Sequence, residues 1–250
     1  MAELLVEYPH QCLWQSIAVY RSDPTKQQLR FTRCRNVYEI AKRKDRSGQL
    51  KTLIAQYEYA AAAFVKVAED AYPAGVHSTF SQKYPYIANF FKTGLMDASV
   101  KISSSNDERT VCSRPLVVVP LRDMIEHALP VIIPNSLSQY PVGDPSASVH
   151  KFGSHSDDSA SSSSSFTNIY IHSIDEEFIV MKSMVRPKKI TLVASDGKRY
   201  SLMCKAKDEL RKDGRLMEIN RIVNALLHQN ADARRRQLSV RTYNVVPLQS

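Results

Sequence analysis

The sequence predicts an α+β fold in which a helical array precedes a small antiparallel sheet and a further helix. Three observations predict it. Apolar residues recur at helical spacing through the first seventy positions. Residues 188–204 alternate apolar and polar side chains around a Ser195-Asp196-Gly197-Lys198 turn. Between these halves, ten of the twenty residues from Ser146 to Ser165 are serine, a composition too poor in large apolar groups to offset its ordering entropy, so this tract is expected to be disordered.

The elements follow in order. A first helix is expected over Pro9 to Val19, with Trp14 as its large anchor. Asp23-Pro24 opens a second, in which Cys34, Val37, Tyr38 and Ala41 fall at i, i+3, i+4 and i+7. Ser47-Gly48 separates it from a third, whose stripe runs through Leu50, Leu53, Ile54, Tyr57, Ala61, Phe64 and Val65. Such an array is characteristic of a helical solenoid, and three helices are too few for one to stand alone. After the serine-rich tract, Ile190 and Leu192 alternate before the turn and Tyr200, Leu202 and Cys204 after it, which reads as a β-hairpin. A last helix carries Leu216, Ile219, Ile222, Val223, Leu226 and Leu227 as its expected core stripe.

Composition narrows the class. Apolar content of 43% and charged content of 24% sit in the globular range. Cys12, Cys34, Cys112 and Cys204 show no C-x-x-C spacing and read as reduced thiols of a cytosolic or nuclear protein. No secretory signal opens the chain, and no apolar run approaches the roughly 20 residues that span a bilayer, so a soluble, membrane-free protein is expected. The net charge of +9 lies wholly in the last quarter: from Arg186 onward, 15 Lys and Arg face 6 Asp and Glu. That patch suits either nucleic acid or a grip on a polyphosphate.

The chemistry concentrates at the hairpin. A strand–turn–strand ending in a lysine, here Lys205, and running into a helix that carries acids, here Asp208 and Asp213, is the layout with which a small kinase lobe holds ATP. The turn at Ser195, Asp196 and Gly197 would cover the phosphates, Lys205 would neutralise them, and an acid would orient the lysine. Taken singly, each part has a plainer reading. A lysine at a strand end is commonly a solvated edge residue, acids at a helix start complement the dipole, and S-D-G turns are common. Arg234-Arg235-Arg236 reads by itself as a solvated charge run or a nucleic-acid patch. The seven histidines show no metal spacing, and G-x-G-x-x-G and Walker A motifs are absent.

Longer motifs decide between these readings. Arg186-Pro187-Lys188-Lys189-Ile190, Ser195-Asp196-Gly197-Lys198, Cys204-Lys205, Asp208, Leu210-Arg211-Lys212-Asp213, Arg215-Leu216-Met217-Glu218 and Arg234-Arg235-Arg236 through Arg241-Thr242-Tyr243 resemble the phosphatidylinositol-3-kinase-related protein kinases, most closely their ATR-type checkpoint members. Towards the N-terminus, Glu7-Tyr8-Pro9 to Trp14 and Arg33-Cys34-Arg35 resemble the end of that family's FAT helical domain, and residues 115–134 its linker to the kinase domain. One departure is Ala194, where the family usually carries glycine before the serine.

The resemblance implies FAT-type helices over 1–112, a linker over 113–145, a Ser-rich insertion over 146–165 and a truncated kinase small lobe over 166–250. It implies ATP held through Lys205, Ser195, Asp196, Gly197, Asp208 and Asp213, with Mg²⁺ bound by a lobe that these residues do not include. For Arg234-Arg235-Arg236 it implies a structural or interlobe role. The family's G-D-R-H-x-x-N loop and D-F-G do not occur; His155-Ser156-Asp157 imitates the former but has Ser162 where asparagine belongs. No catalytic residue and no metal ligand is therefore expected here, and the chain alone is expected to be inactive. The parent would be a nuclear serine/threonine kinase of the DNA-damage and replication checkpoint. It would work with an ATRIP-like regulatory subunit on checkpoint protein substrates, associating with damaged DNA indirectly. A naturally short, non-catalytic scaffold of the same family and a basic nucleic-acid-binding module stay open as rival readings.

Overall fold

The computed structural model describes residues 1–22, 25, 28–71, 79–96, 115–117, 119, 169–206 and 210–248. The expected insertion, most of the linker and Asp208 lie outside these residues.

The expected helices form, and their burial ranks them. α1 (Ala2–Glu7) precedes α2 (Pro9–Tyr20), which starts on Pro9, a residue whose fixed φ and missing N–H cost nothing at a first helical position. α3 (Gln28–Lys44) and α4 (Gln49–Glu69) follow. The stripe from Leu50 to Phe64 implied a one-sided α4. Instead every residue from Gln56 to Phe64 is buried, because α2 and α3 on one side and the sheet on another surround it. Small Ala60, Ala61, Ala62 and Ala63 allow that close approach. Around α4, Trp14 meets Tyr57 edge-on at 5.1 Å and stacks on Phe64 at 6.2 Å, while Tyr20 stacks on Tyr38 at 4.3 Å.

The turn before α4 is held by one carboxylate. Asp45 accepts from the Ser47 N–H at 3.0 Å and from the Leu50 N–H at 2.7 Å, the second being a donor that the first turn of a helix leaves unpaired. Burial pushes this carboxyl up, but the bonds from Ser47 and Leu50 outweigh it and hold it below its ordinary value. Asp45→Ala is expected to cost about 1–2 kcal/mol, the usual worth of a cap; chemical denaturation of the variant checks this.

α5 (Phe80–Lys83) and α6 (Pro85–Thr93) close the helical side. Thr79 and Gln82 form a reciprocal capping box. Four strands follow: β1 (Ile171–Ile174), β2 (Ile179–Val180), β3 (Lys188–Ala194) and β4 (Arg199–Cys204). β3 is central. β4 pairs antiparallel along one side from Lys188↔Cys204 to Val193↔Arg199, while β1 and β2 pair with opposite ends of the other side. The hairpin turn is as expected: the Gly197 N–H donates to Ala194 O at 3.0 Å with Gly197 at φ +75°, a type I turn followed by a left-handed residue. Lys188, Ile190, Leu192 and Ala194 face inward, and sheet and helices share one core through Ile171, Ile174, Ile190 and Leu192.

The last helix overturns an expectation. α7 (Leu210–Gln229) forms, and α8 (Ala231–Arg235) follows, capped by Asn230. Of the α7 residues, only Met217 is buried. Leu216 is 53% exposed, Ile219 57% and Leu226 51%, so the stripe expected to be core is a solvent face here. Periodicity specifies that a helix has an apolar face and is silent on what covers it. Leu226→Glu is accordingly expected to leave the unfolding free energy within about 0.5 kcal/mol, as for surface substitutions, which a denaturant titration reads directly.

Candidate functional site

Lys205 is the first residue beyond β4 and is half-buried. Its position follows from the register: Cys204 lies opposite Lys188, so Lys205 emerges where β3 begins, beside the loop 181–187 that joins β2 to β3. That loop closes through Met181 N–H to Pro187 O at 2.9 Å and holds Arg186 at φ +45°. Asp213 sits in the first turn of α7 and is half-buried, so Lys205 and Asp213 flank one strand-to-helix connection. Asp208, within that connection, is outside the described residues.

The turn is elsewhere. Ser195, Asp196 and Gly197 lie at the opposite end of the hairpin from Lys205. The six residues of β4 separate them, roughly 20 Å at the strand rise. The turn is also closed on itself. The Ser195 N–H donates to Tyr170 O at 2.8 Å, and Ser195 Oγ accepts from the Tyr170 N–H at 3.0 Å. Asp196 accepts from Lys198 N–H at 3.0 Å and from Tyr200 Oη–H at 2.6 Å, and the Tyr200 bond holds its carboxyl below the ordinary value. The structure thus does not bring this turn and Lys205 together. A hairpin turn that begins a strand cannot sit beside the lysine that ends it. Ala194, the departure from the family's glycine, is 3% exposed, with its methyl packed in the sheet–helix core.

Near Lys205 the structure supplies a residue that the motif reading passed over. Lys188 is 4% exposed, and its Nζ donates to Ala68 O and Asp70 O, both at 2.6 Å. These carbonyls end α4, where a helix leaves acceptors without intrahelical donors and favours positive charge. Asp70 accepts from Tyr84 Oη–H at 3.1 Å and pairs with Lys83 at 3.3 Å. Burial lowers the Lys188 pKa and raises the Cys204 thiol opposite it to about 12. The signal was present in the sequence: Lys188 has the same strand parity as Ile190, Leu192 and Ala194.

The arginine run also resolves. Arg234 donates to His228 O at 2.8 Å and to Gln229 O at 3.2 Å, capping the C-terminus of α7. Arg235 meets Asp232 at 3.5 Å on the surface. Asn224 on α7 exchanges two bonds with the Val240 backbone, at 2.7 and 2.8 Å, and Arg221 donates to Asn244 Oδ1. These contacts hold the extended tail 238–248 along the helix. Among the described residues there is no group of three or more His, Cys, Asp or Glu arranged to hold a metal ion, and no helix is long and apolar enough to cross a membrane. Among the described residues, the β4–α7 junction thus carries Lys205 at the strand end and Asp213 in the first turn of the helix, a cation able to meet an oxyanion and an acid of the type that orients such a cation.

No protein-family model matches the chain. It is 28% identical over 249 residues to protein kinase rad3 of Schizosaccharomyces pombe, and 28% identical over 251 residues to serine/threonine-protein kinase ATR of Drosophila melanogaster. These alignments cover 99% and 98% of this chain but 9% and 8% of the relatives, so the chain spans under a tenth of their length. Serine/threonine-protein kinase ATR of Arabidopsis thaliana is 46% identical over 78 residues, 31% of the chain. Among solved structures, the open conformation of CtTel1 superposes with a TM-score of 0.58 at 20% identity, over 100% of this chain and 8% of that one. The FAT and kinase domain of CtTel1 gives 0.56 at 19%, over 99% and 14%. The fold is thus that of helices joined to a small antiparallel sheet, as in those domains.

Proposed function

We propose that this chain, ATR-like within the phosphatidylinositol-3-kinase-related protein kinases, forms the FAT-helix end and the small kinase lobe of a serine/threonine kinase of the DNA-damage and replication checkpoint. The observation that carries this reading is a match to two ATR-type and Rad3 kinases along almost the whole chain, joined to the strand–lysine–helix order at Lys205 and α7. Residues 1–112 serve as the helical domain, 113–145 as its linker, 146–165 as an insertion and 166–250 as the lobe.

ATP, with Mg²⁺ held by residues beyond this lobe, supplies the phosphoryl group. Lys205 meets the phosphates as a point charge at the end of β4. Asp213, across the β4–α7 connection, aims the ammonium, and Asp208 lies within the same connection. Ser195, Asp196 and Gly197 shape the far end of the hairpin and make no contact with the phosphates that Lys205 holds. The parent protein works in the nucleus with an ATRIP-like subunit on checkpoint substrates and meets damaged DNA through partners.

An acyl-phosphate derivative of ATP tests this, because a lysine amine beside the bound phosphates attacks its carbonyl, forming an amide and releasing ATP. Labelling is expected at Lys205, competed by ATP and absent from Lys182, Lys189 and Lys198. No competed labelling at Lys205 sinks the nucleotide role and leaves the scaffold reading. The same chain is expected to transfer no phosphate to protein above an enzyme-free blank.

A further inference from the structure

The geometry points to Lys188 as a positioning residue, a clamp that ties the Lys205 end of the hairpin to the C-terminus of α4. The inference deepens the nucleotide reading above and rests on it for the purpose of the clamp, though not for its existence. Three observations carry it. The Nζ of Lys188 donates to Ala68 O and Asp70 O at 2.6 Å each, across about 120 residues of sequence. Lys188 is the cross-strand neighbour of Cys204, the residue directly before Lys205. Cys204 is itself buried in the shared core, so that end of β4 cannot shift without moving the strand that Lys188 holds.

The bonding explains why a lysine is tolerated there. Two carbonyls at a helix C-terminus offer the ammonium acceptors and a favourable field, and the Asp70 carboxylate, held by Tyr84 and Lys83, adds opposite charge. The groups facing the ammonium are thus the two carbonyls and Asp70 from the α4 end and the Cys204 thiol from β4. A helical unit that moves at the end of α4 moves the strand carrying Lys205 with it.

Hydrogen–deuterium exchange on the whole chain, with acyl-phosphate ATP labelling of Lys205 in parallel, tests the clamp. In Lys188→Met, exchange is expected to rise by about tenfold or more at both 66–71 and 199–206, while 9–20 keeps its protection. Lys188→Gln, which retains one donor group, is expected to fall between. Lys189→Met, on the opposite face of β3, is expected to change neither segment. Lys205 labelling in Lys188→Met is expected to drop by a similar factor. Unchanged exchange, a rise at only one of the two segments, or equal loss along the whole chain in both Lys188 variants overturns the clamp. If Lys205 of the unsubstituted chain is never labelled while the two segments still loosen together, the nucleotide reading fails and the clamp stands.

Discussion

Lys205→Met is expected to reduce phosphotransfer by about 10²–10³-fold, the usual consequence of removing one preorganised donor from a developing anion. The assay belongs in a polypeptide that carries this chain together with a catalytic loop and metal ligands, since G-D-R-H-x-x-N and D-F-G do not occur in its sequence. The loss should fall on kcat more than on KM, because a phosphate-facing cation contributes most where charge builds in the transition state. Lys205→Arg should rescue poorly: a planar fork with a fixed donor geometry does not replace a compact ammonium. Activity retained within a few-fold in Lys205→Met would remove Lys205 from the mechanism. Asp213→Asn separates the roles further. It should lower the rate while leaving the thermal midpoint of the chain close to that of the parent, since Asp213 is only half-buried at a helix start.

Acid is expected to weaken the fold through a single histidine. His10 is 3% exposed, its Nδ1 lies 3.0 Å from Tyr57 Oη, and its ring sits edge-on to Tyr170 at 5.6 Å. Burial among these rings lowers its pKa to about 4. An unfolded chain returns it to near 6.5, so between those values the unfolded state binds the proton that the folded state refuses. Stability is therefore present above pH 6.5 and is lost as pH falls towards 4. The loss amounts to about 2 kcal/mol at pH 5 and about 3 kcal/mol at pH 4. Urea titrations at pH 7.5 and pH 5 measure it. His10→Gln keeps a polar partner for Tyr57 and has no proton to take up in this range, so it should lose most of the pH dependence. Equal slopes in the two proteins would show that the carboxylates, not His10, set the acid sensitivity.

Much of this was legible in the sequence, for identifiable reasons. Helices α2, α3 and α4 could be placed from Trp14, the Cys34–Ala41 spacing and the Leu50–Phe64 stripe, because side chains three and four apart share a face whatever packs against it. The hairpin was legible because an Asp-Gly turn between alternating strands has few other conformations. The lysine at the end of β4 was legible too. Ser195 and Lys205 are close in sequence, yet antiparallel pairing puts them at opposite ends of β4, a separation that spacing along the chain does not reveal.

By itself the sequence determined the order of elements, the lysine at the end of β4 and the resemblance to ATR-type kinases, since periodicity, turn chemistry and motif spacing are local properties of the chain. Only the tertiary structure decided what each face meets. It buried the middle of α4, Gln56 to Phe64, on every side, left the apolar stripe of α7 largely open, and seated Lys188 against Ala68 and Asp70 in place of solvent. The reason is physical. A residue's neighbours along the chain fix its conformation within a few kcal/mol, but burial and hydrogen-bond satisfaction depend on groups more than a hundred residues away.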